Sequence, residues 1–241
     1  MITVEYDGTN YQGWQYQKHT DKTIQETLEK KLSKLNKSKV DVIGAGRTDS
    51  GVHAEGQKAN FYLDVSIPVN RIPIALNSML PADIVCKNAK IVDDNFHARY
   101  DSSGKKYRYR LLNRSYHSVF TRNYVYTFYK NLDFKKMKFA TKDFIGEYDF
   151  SAFQSSGSDI YNTVRRIENF EMKFYGEEVW FEITGNGFLY NMVRIIIGTL
   201  LEIGLDKRPV TDVKRILKSK ERKEAGFTAP AKGLTLVEVY Y

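Results

Sequence analysis

Apolar residues recur along this chain in two rhythms, every second position and every third to fourth, and the switches between them mark out its elements. Residues 2–6 (ITVEY) alternate as a strand and stop at the turn signal DGTN. In TIQETLEKKLSKL, Ile24, Leu28, Leu32 and Leu35 share one helical face. Thr23 and Glu26 fit a capping box there: the threonine oxygen accepts the amide three residues on, and the glutamate reaches back. A strand near Val40–Gly44 follows, then a glycine-rich loop, then QKANFYLDV with Ala59, Phe61 and Leu63 alternating against polar neighbours. The spacing predicts a helix over about 70–80, with Pro73 in its first turn, where a missing amide donor costs nothing. DIVCKNAKIV closes this half as a strand, giving the order β-α-β-β-α-β.

The second half spells the same order. KKYRYRLL places Tyr107, Tyr109 and Leu111 on one strand face and Arg108 and Arg110 on the other. Segment 133–145 sets Phe134, Met137, Thr141 and Phe144 at helical spacing, and VRRIENFEMKFYGEEVWFEIT reads as a hairpin turning near Tyr175–Gly176. A strongly apolar helix over about 188–203, a shorter one after Pro209 and the strand LTLVEVYY complete the chain. The pattern predicts an α+β fold of two fused ferredoxin-like lobes, residues 1–100 and 101–241, with mainly antiparallel sheets meeting around a central basic cleft. No low-complexity tract or Pro/Ser-rich linker separates the halves.

Composition narrows the partner more than the fold. Of 241 residues 42% are hydrophobic, ample for a core, and 37 Lys and Arg against 29 Asp and Glu leave a formal charge of +8. Such a charge favours an anionic partner, nucleic acid before a membrane surface, although solubility alone accounts for it equally well. The one cysteine, Cys86, excludes an intramolecular disulfide and a multi-cysteine zinc site, and its place in DIVC reads as core. His19, His53, His97 and His117 are scattered, with no helix-face pair to hold a metal. The longest apolar window, FLYNMVRIIIGTLLEIGL, is broken by Asn191 and Arg194, too short and too polar to span a bilayer. Because MITVEYDG enters a strand at once, no signal peptide is expected, and the expected location is the cytoplasm.

The stretch GAGRTDSGVHAEGQ, residues 44–57, carries four glycines and one aspartate between Arg47 and His53. A tight turn in which Asp49 accepts amide hydrogen bonds explains RTDSG as well as chemistry does. Arg47 shifts that balance: in an extended stretch residues two apart share a face, so Arg47 and Asp49 can pair, and a guanidinium favours the ionised carboxylate. An ionised carboxylate suits a nucleophile or electrostatic stabiliser better than a general acid. Arg194 is a fixed cation in an apolar helix, and the plain reading of the pattern puts it on the solvent face. FHARY followed by SSGKKYRYR interleaves cations with tyrosines, a mix that holds phosphates and stacks bases, or simply an exposed strand with a charged outer face. The glycines of TGNGFLYN lack the third glycine and the ribose-binding acid of a dinucleotide site.

EYDGTNYQGWQ, GAGRTDSGVHAEGQ, LPADIV, FHARYDSSGKKYRYR, TVRRI, GFLYNMVRIIIGTLLEIG and TAPAKGLTLVEVYY stand in the order found in tRNA pseudouridine synthases of the TruA type, which the chain resembles from residue 2 to residue 241. The resemblance implies isomerisation of uridine to pseudouridine in tRNA, at positions 38, 39 and 40 of the anticodon arm, on a base flipped out of its stem. It implies one essential aspartate, Asp49, with Arg47 orienting it, Tyr107 stacking on the uracil and Arg194 pairing with the acid, which reverses the solvent-face reading. It implies no metal or organic cofactor, and a homodimer in which one tRNA touches both subunits. Attack on the sugar by the carboxylate and removal of a ribose proton both stay open. Ser50 stands where alanine is common, and segment 113–126 lacks the proline expected there. The rival readings are the same chemistry on another RNA, or a catalytically silent RNA-binding protein or tRNA chaperone.

Overall fold

The computed structural model describes residues 1–157 and 160–241, and these divide into two compact units, 1–103 with 235–241, and 104–234. In the first unit, strand β1 (Ile2–Tyr6) is buried at every position but Glu5. Helix α1 (Ile24–Asn36) buries Ile24, Leu28 and Leu32, begins where Thr23 accepts the Glu26 amide, and ends at Lys37 in the left-handed region. Only half of the capping box forms, because the Glu26 carboxylate turns to Lys30 at 3.1 Å. Strand β2 (Ile43–Gly44) is short, β3 (His53–Asn60) is long, and α2 (Ile72–Asn77) and β4 (Ile84–Ala89) follow. Both β3 and β4 run antiparallel to β1 on its two edges, and β2 runs antiparallel to β3.

Strand β3 corrects one expectation. It starts at His53, inside the stretch that read as loop, and ends at Asn60, before the alternation of Phe61 and Leu63. The positions that misled are polar or small but buried: His53, Gly56, Gln57 and Asn60 are all interior. Gly56 shows why no apolar signal was needed, since a Cβ there would come within 2.3 Å of the Val237 carbonyl oxygen. A glycine inside a strand marks such close backbone approach.

The second unit contains β5 (Gly104–Asn113), β6 (Tyr126–Phe128), α3 (Phe134–Thr141), β7 (Gly146–Asp149), β8 (Val164–Tyr175), β9 (Glu178–Gly185), α4 (Met192–Gly204) and α5 (Asp212–Ser219). Its sheet runs β5-β9-β8-β7, antiparallel throughout, with β6 added parallel to the end of β5. The β8–β9 hairpin turns at Gly176, whose φ of 60° needs no side chain. Helix α4 is buried along nearly its whole length and packs against α3. It can approach the chain beyond α5 closely because Gly198 lacks a Cβ, which would meet the Phe227 carbonyl oxygen at 1.7 Å.

Strands β6 and β7 were not expected, and β10 (Leu234–Tyr240) does not stay with the second lobe as the 101–241 division has it. It returns to the first unit and pairs parallel with β3 at His53 and Ala54. The fold is therefore mixed α+β with mostly antiparallel strands and five α-helices among the described residues. Among the same residues no helix is long and apolar enough to cross a membrane. Cys86 is buried as expected, and burial pushes its thiol up to about 11.

Candidate active site

The loop between β2 and β3 is held by backbone hydrogen bonds as well as by the buried Ala45 and Val52. Burial alternates along it: Arg47 is exposed, Thr48 is only 6% exposed, and Asp49 is half-buried. Thr48 points inward to the Tyr6 phenol, oxygen to oxygen 2.8 Å. Its carbonyl accepts the Trp14 amide at 3.0 Å, and the Asp49 carbonyl accepts the Val52 amide at 3.1 Å. Beyond Asp49, the Gly51 amide and the Ser50 hydroxyl both donate to the Tyr11 carbonyl at 3.2 Å. Residues flanking Asp49 are thus tied to the segment Tyr11–Trp14 that precedes α1.

His53 fixes a second turn of the same unit. Its Nδ1 accepts the Gly8 amide at 3.1 Å, and Gly8 itself has no room for a Cβ beside the Val52 carbonyl. Trp14, 2% exposed, fills the space over Gly44, where a Cβ would meet the indole at 2.4 Å. Of the loop's ionic groups, Arg47 forms no hydrogen bond or ion pair among the described residues. The expected pair between Arg47 and Asp49 is therefore not made. Sharing an outward face does not suffice, because an exposed arginine gains little from an exposed pairing and keeps its side-chain freedom.

In the second unit, Tyr107 lies on β5 opposite Ile183 and is only 7% exposed, its ring packed edge-on against Phe188 with centroids 5.2 Å apart. Arg194 sits in the first turn of α4, half-buried. Its Nε donates to the Ala229 carbonyl at 2.7 Å and its Nη1 to the Asn191 side-chain oxygen at 2.6 Å. Asn191 is the N-cap residue with φ of 60°, and its amide donates in turn to Ser155 at 2.9 Å. Two fixed acceptors give this guanidinium one orientation, which a solvent-facing arginine would not have.

The cation-tyrosine strand turns out to be neutralised within its own sheet. Lys106, Arg108 and Lys173 converge on the buried Glu182 at 3.0, 3.1 and 2.8 Å. Burial alone would raise that carboxyl, but hydrogen bonds from Lys173, Lys106 and Arg108 outweigh it and hold it down at about 2. Arg110 pairs with Glu178 at 2.9 Å, and both arginines lie over the Trp180 ring, at 4.4 and 5.4 Å from its centroid. These contacts account for the charged outer face of the strand. Among the described residues no group of three or more His, Cys, Asp or Glu is placed to hold a metal ion.

A family model described as tRNA pseudouridine synthase matches residues 2–101 and 140–241 of the chain. The protein named tRNA pseudouridine synthase A of Acetivibrio thermocellus is 51% identical over 240 residues, spanning all of this chain and 98% of its own. Those of the same name in a Thermoanaerobacter species and in Clostridium acetobutylicum are 49% and 47% identical, again over the full chain and 98% of theirs.

Proposed function

The chain belongs to the tRNA pseudouridine synthase family, and from that premise we propose that Asp49 is its essential acid and the uridines of the anticodon arm are its targets. The protein is an isomerase that converts uridine in tRNA to pseudouridine. The uracil leaves C1′ through N1, turns, and rejoins C1′ through C5, after which the C5 hydrogen departs as a proton. Departure of the base develops positive charge on the ribose, so an ionised carboxylate on the sugar side lowers the barrier, as in glycoside hydrolysis.

The observation that carries the assignment of Asp49 is the construction of its loop. Thr48 is turned inward and the peptides around Asp49 are tied down, so this half-buried acid is held in a fixed backbone. Tyr107 is assigned the face of the target uracil, with its hydroxyl assisting proton removal from C5. Arg194 is assigned, on the family resemblance, the role of the basic residue that favours the charged carboxylate; its guanidinium is oriented by Asn191 and Ala229. Arg47, without an internal partner, offers its charge to the RNA. The base must be flipped out first, at a cost of a few kcal/mol that phosphate contacts and stacking offset. A cytoplasmic homodimer is the working form in this reading, and light scattering of the purified protein checks it.

The test uses tRNA transcripts tritiated at uridine C5, with uridines at 38, 39 and 40 present singly or together. Replacement of the C5 hydrogen by a carbon bond releases tritium to water. Release confined to those transcripts supports the anticodon-arm assignment. Release only from other uridines of total cellular RNA would shift the substrate, and a gel shift with no release from any RNA would favour the silent binder.

A further inference from the structure

We propose that Thr48, Tyr6 and Gly13 are positioning residues for the isomerisation: together they set the place and facing of the Asp49 carboxylate without touching the RNA. The inference rests on the assignment of Asp49 as the essential acid. It starts from the alternation of burial along the loop, where Arg47 is exposed, Thr48 buried and Asp49 half-buried. Turning residue 48 inward turns residues 47 and 49 outward together, so whatever pins Thr48 decides which face the carboxylate occupies.

Thr48 is pinned by its hydroxyl, 2.8 Å from the phenol oxygen of Tyr6, and both groups are buried. Tyr6 is itself fixed: it belongs to β1, is 3% exposed, and packs its ring against Trp14 with centroids 6.1 Å apart. Gln57 is fully buried and donates to the Gly46 carbonyl at 2.8 Å, which holds the loop two residues ahead of Thr48. Burial pushes the Tyr6 hydroxyl above its ordinary range.

Gly13 closes the arrangement from the other side. Its φ is +88°, and a Cβ there would lie 2.6 Å from the Thr48 carbonyl oxygen, 3.1 Å from the Asp49 carbonyl carbon and 3.2 Å from the Ser50 nitrogen. All three are backbone atoms on either side of the acid and cannot rotate aside. The same contact lets the Trp14 amide reach the Thr48 carbonyl. A misplacement of about 1 Å in a catalytic group costs on the order of a hundredfold in rate, so these contacts govern chemistry rather than RNA affinity.

The experiment measures the single-turnover rate of tritium release at saturating enzyme, and the tRNA dissociation constant, for wild type, Thr48→Val, Thr48→Ser, Tyr6→Phe, Gly13→Ala and Asp49→Asn. Thr48→Val keeps the side-chain volume and removes the hydroxyl. It should slow release by about 10- to 100-fold while the dissociation constant stays within about threefold. Thr48→Ser should recover most of the lost rate. Tyr6→Phe removes the same bond from the other partner, and carries the test if Thr48→Val does not fold. Gly13→Ala should give a loss at least as large. Wild-type rates in both Thr48→Val and Tyr6→Phe would overturn the proposal, as would a loss in Thr48→Val that serine fails to recover. Asp49→Asn separates the two claims: an active Asp49→Asn refutes the assignment beneath this one, whereas an inactive Asp49→Asn beside a fully active Thr48→Val refutes the positioning role alone.

Discussion

Two stretches of this chain looked alike as chemistry, the glycine loop with Arg47 and Asp49 and the strand with Arg108 and Arg110, and the structure treats their charges in opposite ways. On β5 every arginine has an acid and a ring: Glu182, Glu178 and Trp180 absorb the cations into the sheet surface. In the loop Arg47 has no such partner, and the hydrogen bonds are spent on the backbone around Asp49. The lesson is that charge density in a sequence says little until the counter-charges are placed. A strand brings residues from distant sequence opposite one another at fixed spacing, and it neutralises itself. In a loop tied down by its carbonyls and amides, the exposed Arg47 keeps its charge for another molecule.

The comparison can be broken at the two acids first. Asp49→Asn should lower tritium release by at least about a thousandfold, whereas Glu182→Gln should leave release by the folded enzyme near wild type. Equal losses would erase the distinction between them. Next in size is the acid limb of stability. The folded Glu182 carboxyl lies at about 2 against an ordinary 4.5, so its contribution is fully present above 4.5 and is lost as pH falls toward 2. Glu182→Gln should therefore flatten urea midpoints across that window, while lowering them at neutral pH by leaving three cations without their acid. An unchanged slope would mean that the cluster does not govern acid unfolding.

Smaller effects sharpen the contrast between the arginines. Arg47→Ala should weaken tRNA binding and reduce the slope of log affinity against log salt by about one, the signature of one phosphate contact. An unaltered slope would show that the unpaired loop cation does not meet the RNA. Arg110→Ala should leave that slope as it is and cost the fold roughly 1 kcal/mol or less, since its pair with Glu178 is partly exposed. Thermal unfolding and binding at two salt concentrations read both outcomes.

Most long elements were legible because apolar spacing and burial coincide in them. Helix α1 buries the residues its period selects, apart from Leu35, which is only half-buried. The β8–β9 hairpin turns at the expected glycine. The start of β3 was not legible, since its interior is His53, Gly56, Gln57 and Asn60, residues that normally signal a loop. Strand β10 read correctly as a strand, but nothing local tells a strand that its partner lies some 180 residues earlier. In the candidate site, the pattern around Arg194 pointed to solvent, and only the resemblance pointed elsewhere. The acceptors that hold it are Asn191 in a positive-φ cap and a carbonyl 35 residues away, and neither leaves a periodic trace. Gly13 was readable only as part of a quoted motif, because the reason for it, the peptide of Asp49 lying against its Cα, exists only in the fold.

The central claim is that one carboxylate, in a loop fixed by backbone, performs this isomerisation. The most direct measurement is tritium release from C5-labelled tRNA by Asp49→Asn, alongside its tRNA affinity. The substitution removes charge at nearly constant volume, so affinity within a few-fold of wild type with no detectable release is the predicted result. Release at the wild-type rate would contradict the account and require another residue to carry the chemistry.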